Sequence, residues 1–403
     1  MKYIIILGDG MADQPIEALG GRTPLQAAHK PNIDRIAAMG RNGMLLTVPE
    51  GYPPGSEIAN LSLLGYDVGK VYEGRGSLEA ASMGVKIGMG EMAMRCNLIC
   101  IQDGKIKNHS AGHISNEEAR ELILFLDKKM VNKRMKLHPG VSYRHLLVMK
   151  EGDKALQCTP PHDVPGRPFA DVMIKPQTPE AQATANLLNE LILDSQKLLA
   201  PHPINLKRVE KGRDPANSLW PWSPGYRPDM QTLQQLYGIG SGSVISAVDL
   251  IMGIGVYAGL KPVMVEGATG LYNTNYEGKA AAAIEALRRQ DFVYLHIEAS
   301  DEAGHEGDYE LKKRTIEYLD DRIVRPIFKE ISTWNEPVTI AILPDHPTPC
   351  KLKTHTADAV PFIICKTGET SDAVQVYDEF SAKKGAYGLL KGGEFMREFL
   401  NYY

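Results

Sequence analysis

The chain has 403 residues, more than the roughly 250 to 300 that a single hydrophobic core usually serves, so two domains are expected. Its 45 basic and 49 acidic side chains give a net charge of −4, which lacks the basic surplus typical of nucleic-acid-binding proteins. Five cysteines are few and odd in number, which argues against a disulfide framework and favours the cytoplasm.

The first predicted element is a buried strand, "YIIIL", at 3–7. Six apolar residues before Gly8 are too few for a signal-peptide core or a membrane span, so no membrane association is expected. Later apolar runs predict strands at 263–265, 292–297, 338–343 and 361–365, and helices are predicted at 278–289 and 308–330. Continuous rather than alternating hydrophobicity indicates strands covered on both faces, so the sequence predicts an α/β fold with a largely parallel sheet flanked by helices.

The middle of the chain has shorter, more mixed segments and predicted helices at 115–130 and 178–199. Ligand-like residues occur both before and after this region. We therefore interpret 76–225 as a smaller α+β domain inserted into a core domain made of 1–75 and 226–403. Hinges are expected at the crossings, near 73–77 and 223–228, and "LKGGEFMREFLNYY" predicts a closing helix.

Aspartate or histidine follows three of the predicted strands. Asp9 follows the first strand, Asp301 and His305 follow the strand at 292–297, and Asp345 and His346 follow the strand at 338–343. Open α/β sheets gather their ligands at the carboxyl ends of strands. Carboxylates and imidazoles without a thiolate cluster suit Zn²⁺ or Mn²⁺. Taken singly, Asp9 could belong to a Gly-Asp-Gly turn and Asp301 could be a helix cap.

A serine precedes another predicted helix, in "PPGSEIANLSLLG". Pro-Pro-Gly followed by this segment predicts a turn that leads into a helix with Ser56 at or near its start. The ordinary role of such a serine is to cap the helix. Beside a metal ion, however, its hydroxyl pKa would fall, and helix N–H groups would stabilise a phosphate attached to it. Ser62, further along the helix, is the weaker candidate.

Taken together, "GDG", "PPGSEIANLSLLGYD", "DEAGHEGD" and "DHPTPCKLKTHTADAVPF" resemble the cofactor-independent phosphoglycerate mutases of the archaeal type, members of the alkaline phosphatase superfamily. The resemblance extends through "SAGHIS", "GVSYRHLLV", "TPPHDVPGRP" and "GATGLYNTNYEGKA". It implies an alkaline-phosphatase-like core with an inserted substrate-binding lid. It also implies an intramolecular phosphotransferase that interconverts 3-phosphoglycerate and 2-phosphoglycerate, so the expected partner is a small phosphorylated hydroxy-acid.

The resemblance further implies two divalent metal ions, Mn²⁺ or Zn²⁺, with Mg²⁺ or Co²⁺ as further options. The implied ligands are Asp9, Ser56, Asp345 and His346 at one site, and Asp301, His305 and His355 at the other. Ser56 would be the phosphorylated nucleophile. Neither Cys350 nor Asp358 is an expected ligand, and Asp358 would at most accept a histidine N–H.

Further roles follow more loosely from the same resemblance. Asp163 is the predicted acid/base, and Lys279 is either a phosphate contact or an exposed helix lysine. The predicted substrate contacts from the inserted domain are His162, Arg167, Arg144 and Arg227. The planar fork of arginine suits carboxylates, although surface salt bridges are an equal alternative for these arginines. Trp220 and Trp222 either pack or set specificity.

Some segments depart from the archaeal pattern, namely "NSLWPWSPG", "HIEASDEAGHEG" and "LPDHPTPC". They resemble a bacterial branch proposed to act as homoserine kinases, which leaves a phosphotransferase of threonine biosynthesis as an alternative function. Hydrolysis of a phosphate ester or phosphonate is a second alternative, since it needs the same metals. The sequence does not indicate the oligomeric state.

Overall fold

The computed structural model describes residues 1–130 and 134–402. Over these residues the chain forms fifteen strands: β1 Lys2–Gly8, β2 Arg41–Leu46, β3 Glu91–Gln102, β4 Lys105–Asn108, β5 Met135–His138, β6 Arg144–Lys150, β7 Leu156–Gln157, β8 Lys175–Pro176, β9 Ser218–Tyr226, β10 Gly242–Ile245, β11 Lys261–Val263, β12 Phe292–Ile297, β13 Val338–Leu343, β14 Val360–Lys366 and β15 Gly388–Lys391.

The same residues form fifteen α-helices: α1 Pro24–Ala27, α2 Pro31–Met39, α3 Ser56–Leu63, α4 Val68–Val71, α5 Arg75–Ser82, α6 Asn116–Met130, α7 Gln182–Leu199, α8 Pro203–Glu210, α9 Leu233–Tyr237, α10 Asp249–Tyr257, α11 Tyr276–Arg289, α12 Ala299–Glu306, α13 Tyr309–Tyr318, α14 Arg325–Ile331 and α15 Glu394–Leu400. A π-helical segment, Leu319–Val324, joins α13 to α14. Short 3-10 turns occur at Glu17–Leu19, Pro161–Asp163, Phe169–Val172, Pro179–Ala181 and Ala382–Lys384. Among the described helices, none combines the length and the apolar character that crossing a membrane requires.

The chain divides into two units. Residues 1–72 and 229–403 form one, here called the core unit, and residues 73–228 form the other, here called the inserted unit. The boundaries predicted from the sequence were 75/76 and 225/226.

The core unit is built on an eight-stranded sheet in the order β11-β10-β12-β1-β13-β14-β2-β15. β1 lies between β12 and β13 and is parallel to both, while β14 is antiparallel to β13 and β2. Ile4, Ile5, Ile6 and Leu7 of β1 are all fully buried, because helices cover both faces of the sheet. The predicted α/β class with a largely parallel sheet is confirmed.

Three predicted elements of the core unit need correction. The strand expected at 263–265 is β11, which ends at Val263. The single helix expected at 308–330 is divided into α13, the π-helical segment and α14, because Pro326 lacks the N–H that an unbroken helix would use. At the C-terminus, residues 388–391 form β15, which pairs with β2, and only α15 is helical.

The inserted unit has a sheet in the order β4-β3-β6-β5, with β9 also paired to β3. Helices α6 and α7 pack on one face through side chains such as Leu122 and Leu188, against Met94 and Leu147 of the strands. Helix α5 packs on the opposite face, where Ala80 contacts a smaller apolar cluster. The unit is therefore α+β, as predicted.

Candidate active site

Three adjacent strand ends bring the predicted ligands together. In the parallel pairs of β1, Leu7 is opposite Leu343 of β13 and Gly8 is opposite Ile297 of β12, so the chain leaves all three strands at the same edge. Asp9 follows β1 directly, α12 carries Asp301 and His305, and Asp345 and His346 follow β13. The connection from β13 to β14 passes the same edge and carries His355.

The first group, here called the buried cluster, consists of Asp9, Ser56, Asp345 and His346. Nε2 of His346 lies 3.6 Å from Oδ1 of Asp9, 3.6 Å from Oδ2 of Asp345 and 3.2 Å from Oγ of Ser56. Both carboxylates and the imidazole are buried, and Oδ1 of Asp9 has no hydrogen-bond partner within the described part of the chain. Since buried polar atoms are nearly always satisfied, this oxygen fits a bound cation.

The charges of the buried cluster lead to the same conclusion. Burial raises the pKa of Asp9 well above its usual value, and repulsion from Asp345 and Asp301 raises it further. Burial also acts to raise the pKa of Asp345, but the charge of His346, a hydrogen bond with Asp9 and the charge of His296 together outweigh burial, so the pKa of Asp345 is lowered. Two carboxylates held together out of water destabilise one another, and a divalent cation between them would remove that cost.

The second group, here called the open cluster, consists of Asp301, His305 and His355. Nε2 of His305 is 3.3 Å from one oxygen of Asp301, and Nε2 of His355 is 3.4 Å from the other. The two Nε2 atoms are 2.9 Å apart. Nδ1 of His305 faces the backbone oxygen of Lys353 at 3.1 Å, which leaves Nε2 to serve as the metal ligand.

The open cluster differs from the buried one in exposure and protonation. The side chain of His305 is 36% exposed, whereas that of His346 is fully buried. A hydrogen bond to Asp301 raises the pKa of His305 to about 9. When no cation is bound, the proton on His305 therefore pairs with the carboxylate of Asp301.

Thr348 connects the two clusters. Its hydroxyl donates to Asp301 Oδ1 and lies 3.3 Å from Nδ1 of His346. The donor atoms of Asp301, His346 and His355 also lie within 4.8 Å of one another, so His346 faces both groups. At Gly10, where φ is +61°, a Cβ atom would come within 2.6 Å of Asp301 Oδ1 and of Thr348 Oγ1, so the loop requires glycine there.

Ser56 is the first residue of α3, as predicted. Asn60, one turn later, was missed by the sequence reasoning. Its side-chain amide donates to the backbone oxygen of Ser56 at 2.8 Å and to Asp345 Oδ2 at 2.9 Å, and it accepts from the hydroxyl of Tyr294. Asn60 therefore ties the serine's helix to the buried cluster, and its spacing of four residues from Ser56 was the available signal.

His296 is the second missed residue. It is fully buried, with Nε2 3.0 Å from Asp9 Oδ2 and Nδ1 3.1 Å from the hydroxyl of Ser246. A histidine within the apolar strand "FVYLHI" was the signal.

Lys279 is also fully buried, with Nζ 3.4 Å from the backbone oxygen of His296, and burial lowers its pKa to about 8. The alternative of an exposed helix lysine is therefore wrong.

Cys350 and Asp358 lie on the same connection between β13 and β14 as His355. Cys350 is buried, and its backbone N–H donates to Asp13. Asp358 is exposed and accepts a hydrogen bond from the hydroxyl of Thr356.

The candidates in the inserted unit are all exposed: His162, Asp163, Arg144, Arg167 and Arg227. Nε2 of His162 lies 3.4 Å from Oδ1 of Asp163. Trp220 and Trp222 are buried, and each indole N–H donates a hydrogen bond, to Thr159 and Asn97 respectively. The substrate roles of these residues stay predictions.

The fold and site define an α/β protein in which a serine at a helix start lies beside two clusters of carboxylates and imidazoles that could hold cations. The family model described as 2,3-bisphosphoglycerate-independent phosphoglycerate mutase matches residues 37–205. The chain is 52% identical to the Methanosarcina acetivorans protein of that name, over 98% of each chain. It is 46% identical to a probable mutase of the same kind from Geobacter sulfurreducens, over the whole of both chains.

Two solved structures are also similar. A Pyrococcus horikoshii protein shares 30% identity with a TM-score of 0.83, covering 99% of this chain and 97% of the other. A cofactor-independent phosphoglycerate mutase from Thermoplasma acidophilum shares 28% identity with a TM-score of 0.69, covering 100% and 99%. The chain belongs to the 2,3-bisphosphoglycerate-independent phosphoglycerate mutase family.

Proposed function

We propose that this protein interconverts 3-phosphoglycerate and 2-phosphoglycerate without bisphosphoglycerate, by transferring the phosphoryl group through Ser56. The observation that carries the proposal is the Ser56 hydroxyl at a helix start, 3.2 Å from an imidazole of the buried cluster, in a chain that belongs to this mutase family. Homoserine phosphorylation and simple phosphoester hydrolysis are the competing functions, and no contact among residues 1–130 and 134–402 favours either.

The two clusters would each hold a divalent cation. The orphaned oxygen of Asp9 and the crowding of Asp9 with Asp345 fit such an ion at the buried cluster, and the convergence of His305, His355 and Asp301 fits one at the open cluster. Mixed carboxylate and imidazole donors suit Mn²⁺ or Zn²⁺, with Mg²⁺ or Co²⁺ as further options. A divalent cation bound there lowers the pKa of the serine hydroxyl and neutralises phosphate charge.

The first half of the reaction forms a phosphoserine. Oγ of Ser56, whose hydroxyl proton is released to solvent, bonds to the phosphorus of 3-phosphoglycerate while the bond from phosphorus to the 3-oxygen breaks. The 3-oxygen takes up a proton, for which Asp163 is the predicted donor, and the product is glycerate. Backbone N–H groups at the start of α3 hold the transferred phosphoryl group on Ser56.

The second half returns the phosphoryl group. The 2-hydroxyl of the same glycerate gives its proton to Asp163, which lost one in the first half, and its oxygen bonds to phosphorus. The bond from phosphorus to Oγ of Ser56 breaks, Oγ regains a proton from solvent, and the product is 2-phosphoglycerate. Lys279 is the predicted phosphate contact, and its Nζ donates to the backbone oxygen of His296. The expected compartment is the cytoplasm, and the expected partner is the small anionic substrate.

A parallel assay tests the proposal. Purified protein loaded with Mn²⁺ is given 3-phosphoglycerate with an enolase-coupled readout, and in a second reaction homoserine with ATP. We expect turnover of 3-phosphoglycerate only. Turnover of homoserine alone would overturn the proposal in favour of the kinase, and release of free phosphate without 2-phosphoglycerate would overturn it in favour of a hydrolase.

A further inference from the structure

Lys312 of α13 is a fully buried lysine of the core unit that the reaction described above does not use. Burying an ammonium group is strongly unfavourable unless its donors find acceptors inside the protein. Its Nζ atom lies 2.8 Å from Oδ2 of Asp13, 2.8 Å from the backbone oxygen of Thr348 and 3.1 Å from that of Ala12. An ammonium has three N–H groups, so these three acceptors satisfy it completely.

The three acceptors belong to two segments of the chain. Ala12 and Asp13 are part of residues 9–13, which follow β1 and are here called the first ligand segment. Thr348 is part of residues 345–350, which follow β13 and are here called the second ligand segment. The first segment supplies one carboxylate of the buried cluster, and the second supplies the other carboxylate and the imidazole. The lysine therefore contacts both segments that build this cluster.

The two ligand segments also contact each other directly. The backbone N–H of Thr348 donates to the backbone oxygen of Ala12 at 3.3 Å, and that of Gly10 donates to Oδ1 of Asp345 at 3.3 Å. Both distances exceed the usual range for N–H···O bonds. The shorter bonds from the lysine to Asp13 and Thr348 carry a full positive charge on the donor, which makes them stronger.

Asp13 extends this attachment with its own side chain. Its Oδ2 accepts the Lys312 ammonium and also the backbone N–H of Cys350, at 3.1 Å, on the second ligand segment. Its Oδ1 accepts the backbone N–H of Gln14 at 2.7 Å. A carboxylate from one segment thus holds the backbone of the other, and the lysine neutralises the charge of that carboxylate.

We propose that Lys312 is a positioning residue that fixes the spacing of the two ligand segments, and with it the distance at which Asp9 and Asp345 meet a divalent cation. This inference rests on the proposed function, which places the cation between them. In the absence of a cation the two carboxylates repel one another, so their segments need a separate attachment nearby. A buried ion pair adds little net stability, but its partners must stay in contact, which suits a role in geometry.

The test compares two buried lysines of the core unit. Lys312→Met removes the ammonium and keeps an unbranched apolar side chain, while Lys312→Gln keeps two N–H donors. The matched control is Lys30→Met, because Lys30 is also buried and pairs at 2.8 Å with Asp34, which lies on α2 and on neither ligand segment.

Full-length, metal-free protein is titrated with Mn²⁺, and the free ion is measured by electron paramagnetic resonance. Each titration is made well below the unfolding temperature of that variant, which is measured by circular dichroism. The two affinities are assigned with His305→Gln, which should weaken binding at the open cluster only.

We expect both methionine variants to unfold at a lower temperature, because each leaves a carboxylate without its lysine. Only Lys312→Met should weaken Mn²⁺ binding at the buried cluster, by roughly 10- to 100-fold, as for the loss of a group that orients metal ligands. Binding at the open cluster should weaken less, because Lys312 reaches it only through Thr348. Lys312→Gln should lose less affinity than Lys312→Met.

Two results would overturn the positioning role: unchanged Mn²⁺ affinity of the buried cluster in both Lys312 variants, or an equal loss in Lys30→Met. If Lys312→Met does not fold, Lys312→Gln decides by the same titration. Failure of the proposed mutase function is distinguishable. Wild-type protein would then bind Mn²⁺ without interconverting the phosphoglycerates, and the loss of affinity in the Lys312 variants would still be measurable.

Discussion

The buried and open clusters of the core unit use similar side chains in opposite settings. In the buried cluster, the carboxylates of Asp9 and Asp345 lie together out of water, and one oxygen of Asp9 accepts no hydrogen bond from any described residue. In the open cluster, one carboxylate faces two imidazoles that satisfy both of its oxygens. Without cations, the buried cluster therefore lacks positive charge, whereas the open cluster is neutralised by its own protons. Three changes would test this difference.

The largest effect is expected from removing the serine of the buried cluster. Ser56→Ala should abolish both mutase turnover and phosphoenzyme formation, because no other group of the buried cluster can carry the phosphoryl group as a serine ester. Cation binding at the open cluster should persist, since none of its side chains contacts Ser56 in the structure's described residues. The measurements are the coupled assay, phosphate labelling of the protein and metal content. Labelling that survives the substitution would disprove the role of Ser56.

A smaller effect is expected from the histidine that supports the buried cluster. His296→Gln should weaken cation binding at the buried cluster by about 10- to 100-fold, because Nε2 of His296 orients Asp9 through its contact with Oδ2. Binding at the open cluster should not change. Metal titration of the two sites by electron paramagnetic resonance with Mn²⁺ would measure both.

The matched control for that substitution is His145→Gln. His145 is also a buried histidine, but it lies in the inserted unit, where its Nδ1 accepts the backbone N–H of Gly140 at 3.0 Å. This variant should lose stability without losing cation affinity. Equal weakening of both clusters in His296→Gln would show that the substitution acts through general destabilisation.

A change of one pH unit at the open cluster is expected to have the smallest effect. The pKa of His305 is about 9 in the cation-free protein, above its usual 6.5. The stability contributed by its pairing with Asp301 is therefore complete below about pH 6.5 and is lost as pH rises through about 9. A cation must displace that proton, so affinity should rise by about tenfold per pH unit up to that pKa.

Calorimetry of cation binding in buffers with different ionisation enthalpies would count the protons released. His305→Gln should release about one proton fewer than wild type near pH 7.5. A pH-independent affinity at the open cluster would show that His305 is not protonated when the cation is absent.

The sequence predicted that the candidate ligands lie together, because their positions follow from where the strands end. A parallel sheet places the carboxyl ends of its strands along one edge, so Asp9, Asp301 and Asp345 could be expected together once their strands were recognised. The spacing of four residues between Asp301 and His305 brings both to one side of a helix. Helix boundaries were less predictable, as the interruption before Pro326 shows.

Among the arginines, the sequence pointed to Arg144, Arg167 and Arg227, all of which are exposed. The partly buried Arg75 and Arg95 were not singled out, because arginine is normally a surface residue and nothing in "EGRGS" or "MRCN" marks burial. The burial of Lys279 could not be predicted from the sequence either, because a lysine on a helix is normally exposed and only the packing around it shows otherwise.

The sequence by itself determined the fold class and the family and predicted the residues of the candidate site, because periodicity, strand ends and long motifs are properties of neighbouring residues. Only the tertiary structure decided which polar groups lose water and which partners they meet. His296 reaches Asp9 across 287 positions of the chain, and Asn60 reaches Asp345 across 285. Burial and hydrogen bonding between such distant segments depend on the packing of the whole sheet, and no local pattern encodes them.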